Sequence, residues 1–134
     1  MTDEVELIAM STGSGAGLRA RLERALASGD TRLSRLGAAE TSVTFRNLDD
    51  PEASVTVLLD RQPPLVAGPD EPAEITIELT AAQAARFARG AFSLPNALVT
   101  GQAGHRGPVR KYLAVDPVLR GLLADLDLPT ELEA

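Results

Sequence analysis

The sequence predicts an α+β fold in a single domain. An amphipathic helix precedes a series of short alternating runs, further helical segments follow the runs, and no repeated strand–helix–strand unit is present. A chain of 134 residues fits one domain. Hydrophobic residues make up 44% of the chain and aromatic residues only 3%, so we expect an aliphatic core.

The N-terminal part of the chain predicts one helix and a further helical turn. Leucines at every fourth position form an apolar stripe along residues 16–28, and Gly29 follows where glycine commonly ends a helix. Residues 31–36 predict another turn that ends near Gly37. The apolar run at residues 6–10 is too short to assign.

Four runs typical of strands come next, and they predict an antiparallel sheet. The most regular is Glu74-Ile75-Thr76-Ile77-Glu78-Leu79, in which the polar side chains share one face. A strand of that kind is typical of an antiparallel sheet with one face covered and the other in water. The four predicted strands are residues 41–48, 54–60, 65–67 and 74–79.

The C-terminal half predicts helices around one short strand. Thr80 and Gln83 form a capping box, and the helix they begin runs to about Arg89, with Gly90 as its end. The remaining predicted segments are a short helix at residues 94–99, a glycine-bounded edge strand within residues 101–107, an amphipathic segment at residues 109–114 and a helix that begins at Asp116.

The composition excludes several functions. The net charge of −6 provides no electrostatic footprint for nucleic acid, and four aromatic residues provide no platform for stacking bases. Anionic membranes should repel the chain mildly, so we expect no stable membrane association. With no cysteine and one histidine, we predict neither a metal site nor a cofactor. The acidic N-terminus and the lack of a long apolar run predict a cytoplasmic protein.

Few residues are candidates for catalysis. The glycine-rich segment at residues 13–17 lacks the third glycine of a dinucleotide-binding loop, because Leu18 stands there, and we predict a linker. His105 is the one histidine available to a Ser–His–Asp triad. Such a triad would use Ser93 or Ser42 as the nucleophile and Asp116 or Asp60 to orient the histidine, without a nucleophile elbow. The carboxylates, Asp49-Asp50 and Asp70-Glu71 among them, are predicted to face solvent, with none inside an apolar face that would raise its pKa.

Several local patterns occur in the order and spacing of a known family. They are Glu74-Ile75-Thr76-Ile77-Glu78-Leu79-Thr80, Phe87-Ala88-Arg89-Gly90, Asn96-Ala97-Leu98-Val99-Thr100-Gly101 and Gly107-Pro108-Val109-Arg110-Lys111-Tyr112-Leu113. Residues 33–126 resemble the sterol carrier protein 2 (SCP-2) domain, and the last pattern resembles its bacterial, especially actinobacterial, members. The resemblance implies a curved antiparallel sheet of about five strands, with helices packed on one face that enclose an apolar tunnel.

The resemblance also implies a ligand and a lining for the tunnel. A fatty-acyl or sterol-like molecule would lie between the inner face of the sheet and the helices. The predicted lining residues are Phe45, Val57, Ile75, Ile77, Phe87, Phe92, Leu94, Leu98, Val99, Leu113, Leu119, Leu122 and Leu123. The same residues would also form an ordinary close-packed core.

The predicted function is that of a non-catalytic binding or carrier protein for a hydrophobic small molecule. One alternative is a cyclase or isomerase of natural-product synthesis that uses His105, Tyr112 and Asp116 beside the same cavity. Another is a module that binds a protein partner, and the chain is also a candidate homodimer. The predicted organisation is an N-terminal segment and helix at residues 1–30, an SCP-2-like domain at residues 31–128 and a frayed tail at residues 129–134.

Overall fold

A computed structural model describes residues 15–127 of the chain. Its helices are α1 (Gly15–Leu26), α2 (Leu33–Leu36), α3 (Ala81–Ala88), α4 (Leu94–Thr100), α5 (Val109–Leu113) and α6 (Asp116–Asp125), with 3₁₀ turns at Gly37–Ala39 and Pro51–Ala53. Its strands are β1 (Ser42–Asn47), β2 (Val55–Leu58), β3 (Leu65–Ala67), β4 (Ile75–Leu79) and β5 (Gly104–Arg106). The predicted run at residues 6–10, most of the glycine-rich segment and the predicted tail lie outside the described residues.

The five strands form one sheet in the order β3-β2-β1-β4-β5. The prediction of an entirely antiparallel sheet is wrong at one place, because β1 and β4 run parallel, with Val43 opposite Ile75 and Phe45 opposite Ile77. The other neighbouring strands are antiparallel, so the sheet is mixed. The alternation of apolar and polar residues along a strand indicates which face is buried. It does not indicate whether the neighbouring strand is parallel or antiparallel, because the alternation is the same in both cases.

The parallel pair requires the chain to cross the sheet between β3 and β4. Residues 68–74 make this connection over β2 and β1, a distance of about three strand spacings, or about 14 Å. Seven residues reach about 23 Å when extended, which is sufficient. Pro69 and Asp70 of this connection lie in one groove with Thr44 and Thr76, so the crossing runs over the polar face of the sheet.

The helices cover the opposite, apolar face. Phe45 on β1 contacts Phe87 of α3, with ring centroids 5.0 Å apart. The ring of Tyr112 on α5 lies edge-on to the Phe45 ring, with the two centroids 5.7 Å apart. From α1, Leu18 and Leu22 reach the same core. This burial of aliphatic side chains between two layers is the main favourable term in folding.

The predicted local signals appear at their expected places. The Thr80 hydroxyl accepts from the Gln83 backbone N–H, and the Gln83 side chain accepts from the Thr80 N–H, which confirms the capping box. Gly90 follows α3 with a φ of 74°, in the left-handed region that favours glycine. The glycine-bounded edge strand is β5, which has only three residues. No described helix is long and apolar enough to cross a membrane.

Candidate functional site

Most of the residues predicted to line a tunnel lie in the core between the sheet and the helices. Within the described part of the chain, their side chains pack closely together. Those that are buried are Phe45, Val57, Ile75, Ile77, Phe87, Phe92, Leu94, Leu119, Leu122 and Leu123, and Leu98 and Leu113 pack against them half-buried. Val99 differs, because 86% of it is exposed on the outer side of α4.

An apolar cleft opens at one edge of this core, between the end of α1 and the edge strand β3. Its volume is about 340 Å³. The residues that line it are Glu23, Leu26, Ala27, Pro63, Pro64, Leu65 and Val66. Val66 lies opposite Val57 in the sheet, and both Val66 and Leu26 pack against the core. The cleft is therefore continuous with the apolar layer between the sheet and the helices.

A cationic side chain, Arg19, lies beside Glu23, which is one of the residues that line this cleft. Arg19 donates from Nε to the Glu23 carboxylate over 3.3 Å, and about half of each side chain is exposed. Its Nη1 lies 3.7 Å from the point where a side chain at Gly68 would begin. Arg19 thus extends from α1 toward the end of β3.

A buried polar group lies on the other side of the core, at the junction of α5 and α6. The Tyr112 hydroxyl donates to Asp116 Oδ1 over 2.6 Å, and Asp116 Oδ2 lies 3.0 Å from Arg120 Nε. Tyr112 and Asp116 are both fully buried. Burial raises the pKa of Asp116 above its ordinary value of 3.8, although Tyr112 and Arg120 oppose this effect. Burial also raises the pKa of the Tyr112 phenol, and the Asp116 charge adds to the rise.

The expectation that no carboxylate lies inside an apolar face is wrong at Asp116. The signal that identifies it is the spacing of Tyr112, Asp116, Leu119 and Leu123, which places all four on one helical stripe across α5 and α6. The Asp116-Pro117 pair predicts the start of a helix, which the structure confirms, but such a pair does not indicate which way the carboxylate points.

The residues proposed for a catalytic triad are not assembled. His105 lies exposed on β5, whereas Asp116 is fully buried. Ser93 caps α4 by accepting from the Asn96 N–H, and the Ser42 hydroxyl accepts from the Glu74 N–H. Among residues 15–127, no three His, Asp or Glu side chains come together as metal ligands would.

The fold is similar to solved sterol carrier protein structures. The sterol carrier protein domain 2 of Helicoverpa armigera is 14% identical, with a TM-score of 0.60 over 77% of this chain and 85% of that chain. Sterol carrier protein 2 from Yarrowia lipolytica, in its apo form, is 16% identical, with a TM-score of 0.56 over 83% of this chain and 90% of that one.

Sterol Carrier Protein-2 from Aedes aegypti, solved in complex with the C16 fatty acid palmitate, is also similar. It is 17% identical, with a TM-score of 0.54 over 79% of this chain and 94% of that one. No protein-family model matches the chain, and no curated protein matches it. The structural likeness shows the fold alone, which is α+β and SCP-2-like.

Proposed function

We propose that this chain is a non-catalytic binding protein that holds a fatty-acyl or sterol-like molecule between its sheet and its helices. The apolar cleft between α1 and β3 carries the proposal, because it joins the surface to the helix-covered face of the sheet. The likeness of the fold to the palmitate-bound Aedes aegypti protein supports it.

The size and lining of the cleft suit the end of a hydrocarbon chain. Its volume of about 340 Å³ is at the lower end of the range of about 300–1,000 Å³ for small-molecule sites. A longer ligand would extend into the core by separating α1 from the sheet. Val57, Ile75, Ile77 and the other predicted lining residues would then form its walls.

Burial of hydrocarbon alone would provide measurable affinity. Each buried CH₂ group contributes about 0.8 kcal/mol, so a chain of about 12 carbons contributes roughly 9–10 kcal/mol before other terms. The loss of translational and rotational freedom offsets at least about 4 kcal/mol of this, which leaves about 5–6 kcal/mol, or a dissociation constant of roughly 0.1 mM. Specificity would be loose, since an aliphatic wall makes few directional contacts.

Arg19 would contact the polar end of such a ligand. Its present partner Glu23 lines the cleft and is half exposed, so a ligand carboxylate can replace Glu23 at the guanidinium. We therefore expect fatty acids to bind more tightly than neutral alcohols of the same chain length.

The test is displacement of a fluorescent fatty acid by palmitate, with two matched variants. Leu65 lines the cleft and is 49% exposed, whereas Val99 is exposed on α4 away from it, so Leu65→Glu and Val99→Glu introduce the same charge at two exposed apolar positions. We expect Leu65→Glu to weaken binding about tenfold and Val99→Glu to leave it unchanged. The absence of saturable binding to the wild-type chain would refute the proposal. Weakening by Val99→Glu alone would place the ligand beneath α4 instead.

A homodimer, a cytoplasmic location and a bacterial origin of the actinobacterial type remain predictions of the sequence. The enzyme alternative is less well supported than binding, because it relies on His105 lying near Tyr112 and Asp116 in a cavity, and His105 faces solvent.

A further inference from the structure

We propose that the polar face of the sheet carries a second binding site, for a small zwitterion of the amino-acid type. The site is a groove of about 410 Å³ beneath the chain segment that crosses from β3 to β4. It is separate from the apolar cleft, because the two lie on opposite faces of the sheet. The residues that line it include Thr44, Arg46, Pro69, Asp70, Glu71 and Thr76.

A row of threonines across three strands provides the floor of this polar groove. Thr44 of β1 lies opposite Thr56 of β2 on one side and opposite Thr76 of β4 on the other. The hydroxyls of Thr44 and Thr56 are 2.7 Å apart and hydrogen-bonded, and Thr56 is fully buried. The Thr76 hydroxyl, also in the floor, makes no side-chain hydrogen bond within residues 15–127, so it is available to a ligand.

The walls of the polar groove come from segments that the fold holds over this face. The crossing segment contributes Pro69, Asp70 and Glu71 on one side, and the 3₁₀ turn that follows β1 contributes Pro51 on the other. The hydrogen bond from the Ala53 N–H to the Asp50 carbonyl closes that turn over 2.8 Å. In the crossing segment, the Glu71 N–H donates to the Gly68 carbonyl over 3.3 Å. These backbone bonds position both walls before any ligand binds, which reduces the entropy lost on binding.

The polar groove contains charges of both signs. Arg46 is about half exposed, and its Nη1 lies 4.0 Å from Glu78 Oε2, too far for a hydrogen bond. Its guanidinium donors therefore remain available. Asp70 and Glu71 form no ion pair with any basic side chain in the described part of the chain. The lining thus holds one cation, which pairs with Glu78 only over 4.0 Å and without a hydrogen bond, and two anions without an ion pair.

This combination favours a ligand that carries both an ammonium and a carboxylate. A guanidinium binds carboxylate through paired hydrogen bonds, and the two carboxylates would accept from the ammonium group. Because the lining has one more negative charge than positive, a zwitterion with an additional amine fits best. L-lysine has this charge pattern, whereas L-glutamate has the opposite excess. The threonine methyls and the two prolines would contact the aliphatic part of the ligand.

The experiment is a titration of the full chain with L-lysine, followed by backbone amide NMR shifts. We expect saturable shifts confined to the residues that line the polar groove, and weaker binding of L-glutamate and of L-lysinamide, which lacks the carboxylate. The absence of shifts at these residues, or equal binding of lysine and lysinamide, overturns the proposal. This comparison uses the wild-type chain, so it does not depend on the folding of any variant.

Charge-neutralising variants extend the test. Arg46→Gln should weaken L-lysine binding about tenfold and should not weaken L-lysinamide binding, because only lysine has a carboxylate for Arg46 and lysinamide carries only positive charge. The double variant Asp70→Asn with Glu71→Gln should weaken the binding of both. Arg24→Gln removes the same charge from an exposed position on α1 and should have no effect. Equal binding of L-lysine by wild type and Arg46→Gln would contradict the proposal.

Discussion

Asp116 is the residue whose surroundings differ most from those of an ordinary surface carboxylate. Its side chain is fully buried beside Tyr112 and Arg120. Desolvation disfavours the charged carboxylate, and the pKa of Asp116 is accordingly raised. This network therefore makes the stability of the fold depend on pH.

The sign of this dependence follows from linkage. The folded chain holds the proton on Asp116 more tightly than the unfolded chain, whose carboxyl has a pKa near 3.8. The stabilisation that Asp116 provides is therefore fully present below pH 3.8 and is lost as the pH rises through the raised pKa. Asp30 has the opposite behaviour, because hydrogen bonds from Arg32 lower its pKa to about 2.

We predict that Asp116→Asn abolishes the loss of stability that the ionisation of Asp116 causes as the pH rises. The free energy of unfolding of the wild type, measured relative to that of Asp116→Asn, should fall as the pH rises from about 4 to about 7. Urea denaturation of both proteins across this range measures the difference, and the shared contribution of Asp30 cancels. A difference that is constant or rises with pH would contradict the assignment.

At the scale of the elements, the sheet depends on close approaches that only glycine permits. Gly107 follows β5 with a φ of 86°, and a Cβ there would overlap the carbonyl oxygen of Glu74 next to β4. Gly101 ends α4 with a similar φ of 82°, but a Cβ there would meet nothing within 4 Å. A side chain at Gly101 would therefore cause backbone strain alone, whereas a side chain at Gly107 would cause backbone strain and steric overlap.

We predict that Gly101→Ala lowers the free energy of unfolding by about 1–2 kcal/mol, the cost of a left-handed backbone for an L-residue. Gly107→Ala should lower it by clearly more, because β5 must also move away from β4. Thermal or urea unfolding of both variants provides the comparison. Equal losses would mean that β5 does not lie as close to β4 as described.

Helix α1 is joined to the rest of the molecule by Arg21. This half-buried side chain donates from Nε to the Ala88 carbonyl over 2.5 Å and from Nη2 to the Leu123 carbonyl over 3.0 Å, and it pairs with Asp127. A single side chain of α1 thus contacts the ends of both α3 and α6. These contacts position α1 over the sheet, beside the apolar cleft.

We predict that Arg21→Met lowers the free energy of unfolding by about 2 kcal/mol, because two carbonyl groups lose a charged donor. Arg24→Met, at an exposed position on the same helix, should change it by less than about 0.5 kcal/mol. Urea denaturation of the two variants distinguishes these cases. Similar small effects from both would show that Arg21 does not hold α1 in place.

The sequence by itself determined the α+β class, the order of the elements and most of the buried positions. The apolar side chains that alternate along β1, β2 and β4 are buried as predicted. The capping box of α3 lies at Thr80 and Gln83, also as predicted. These properties follow from local periodicity and from hydrogen bonds between residues close in sequence, which the order of residues expresses directly.

Tertiary structure alone decided the parallel pairing of β1 and β4, the burial of Asp116 and the exposure of Val99. It also decided the apolar cleft and the polar groove on opposite faces of the sheet. Each depends on which distant segment packs against a given side chain. The alternation of a strand records that one face is buried, but not the direction of its neighbour. The path of residues 68–74 across the sheet sets both that direction and the polar groove.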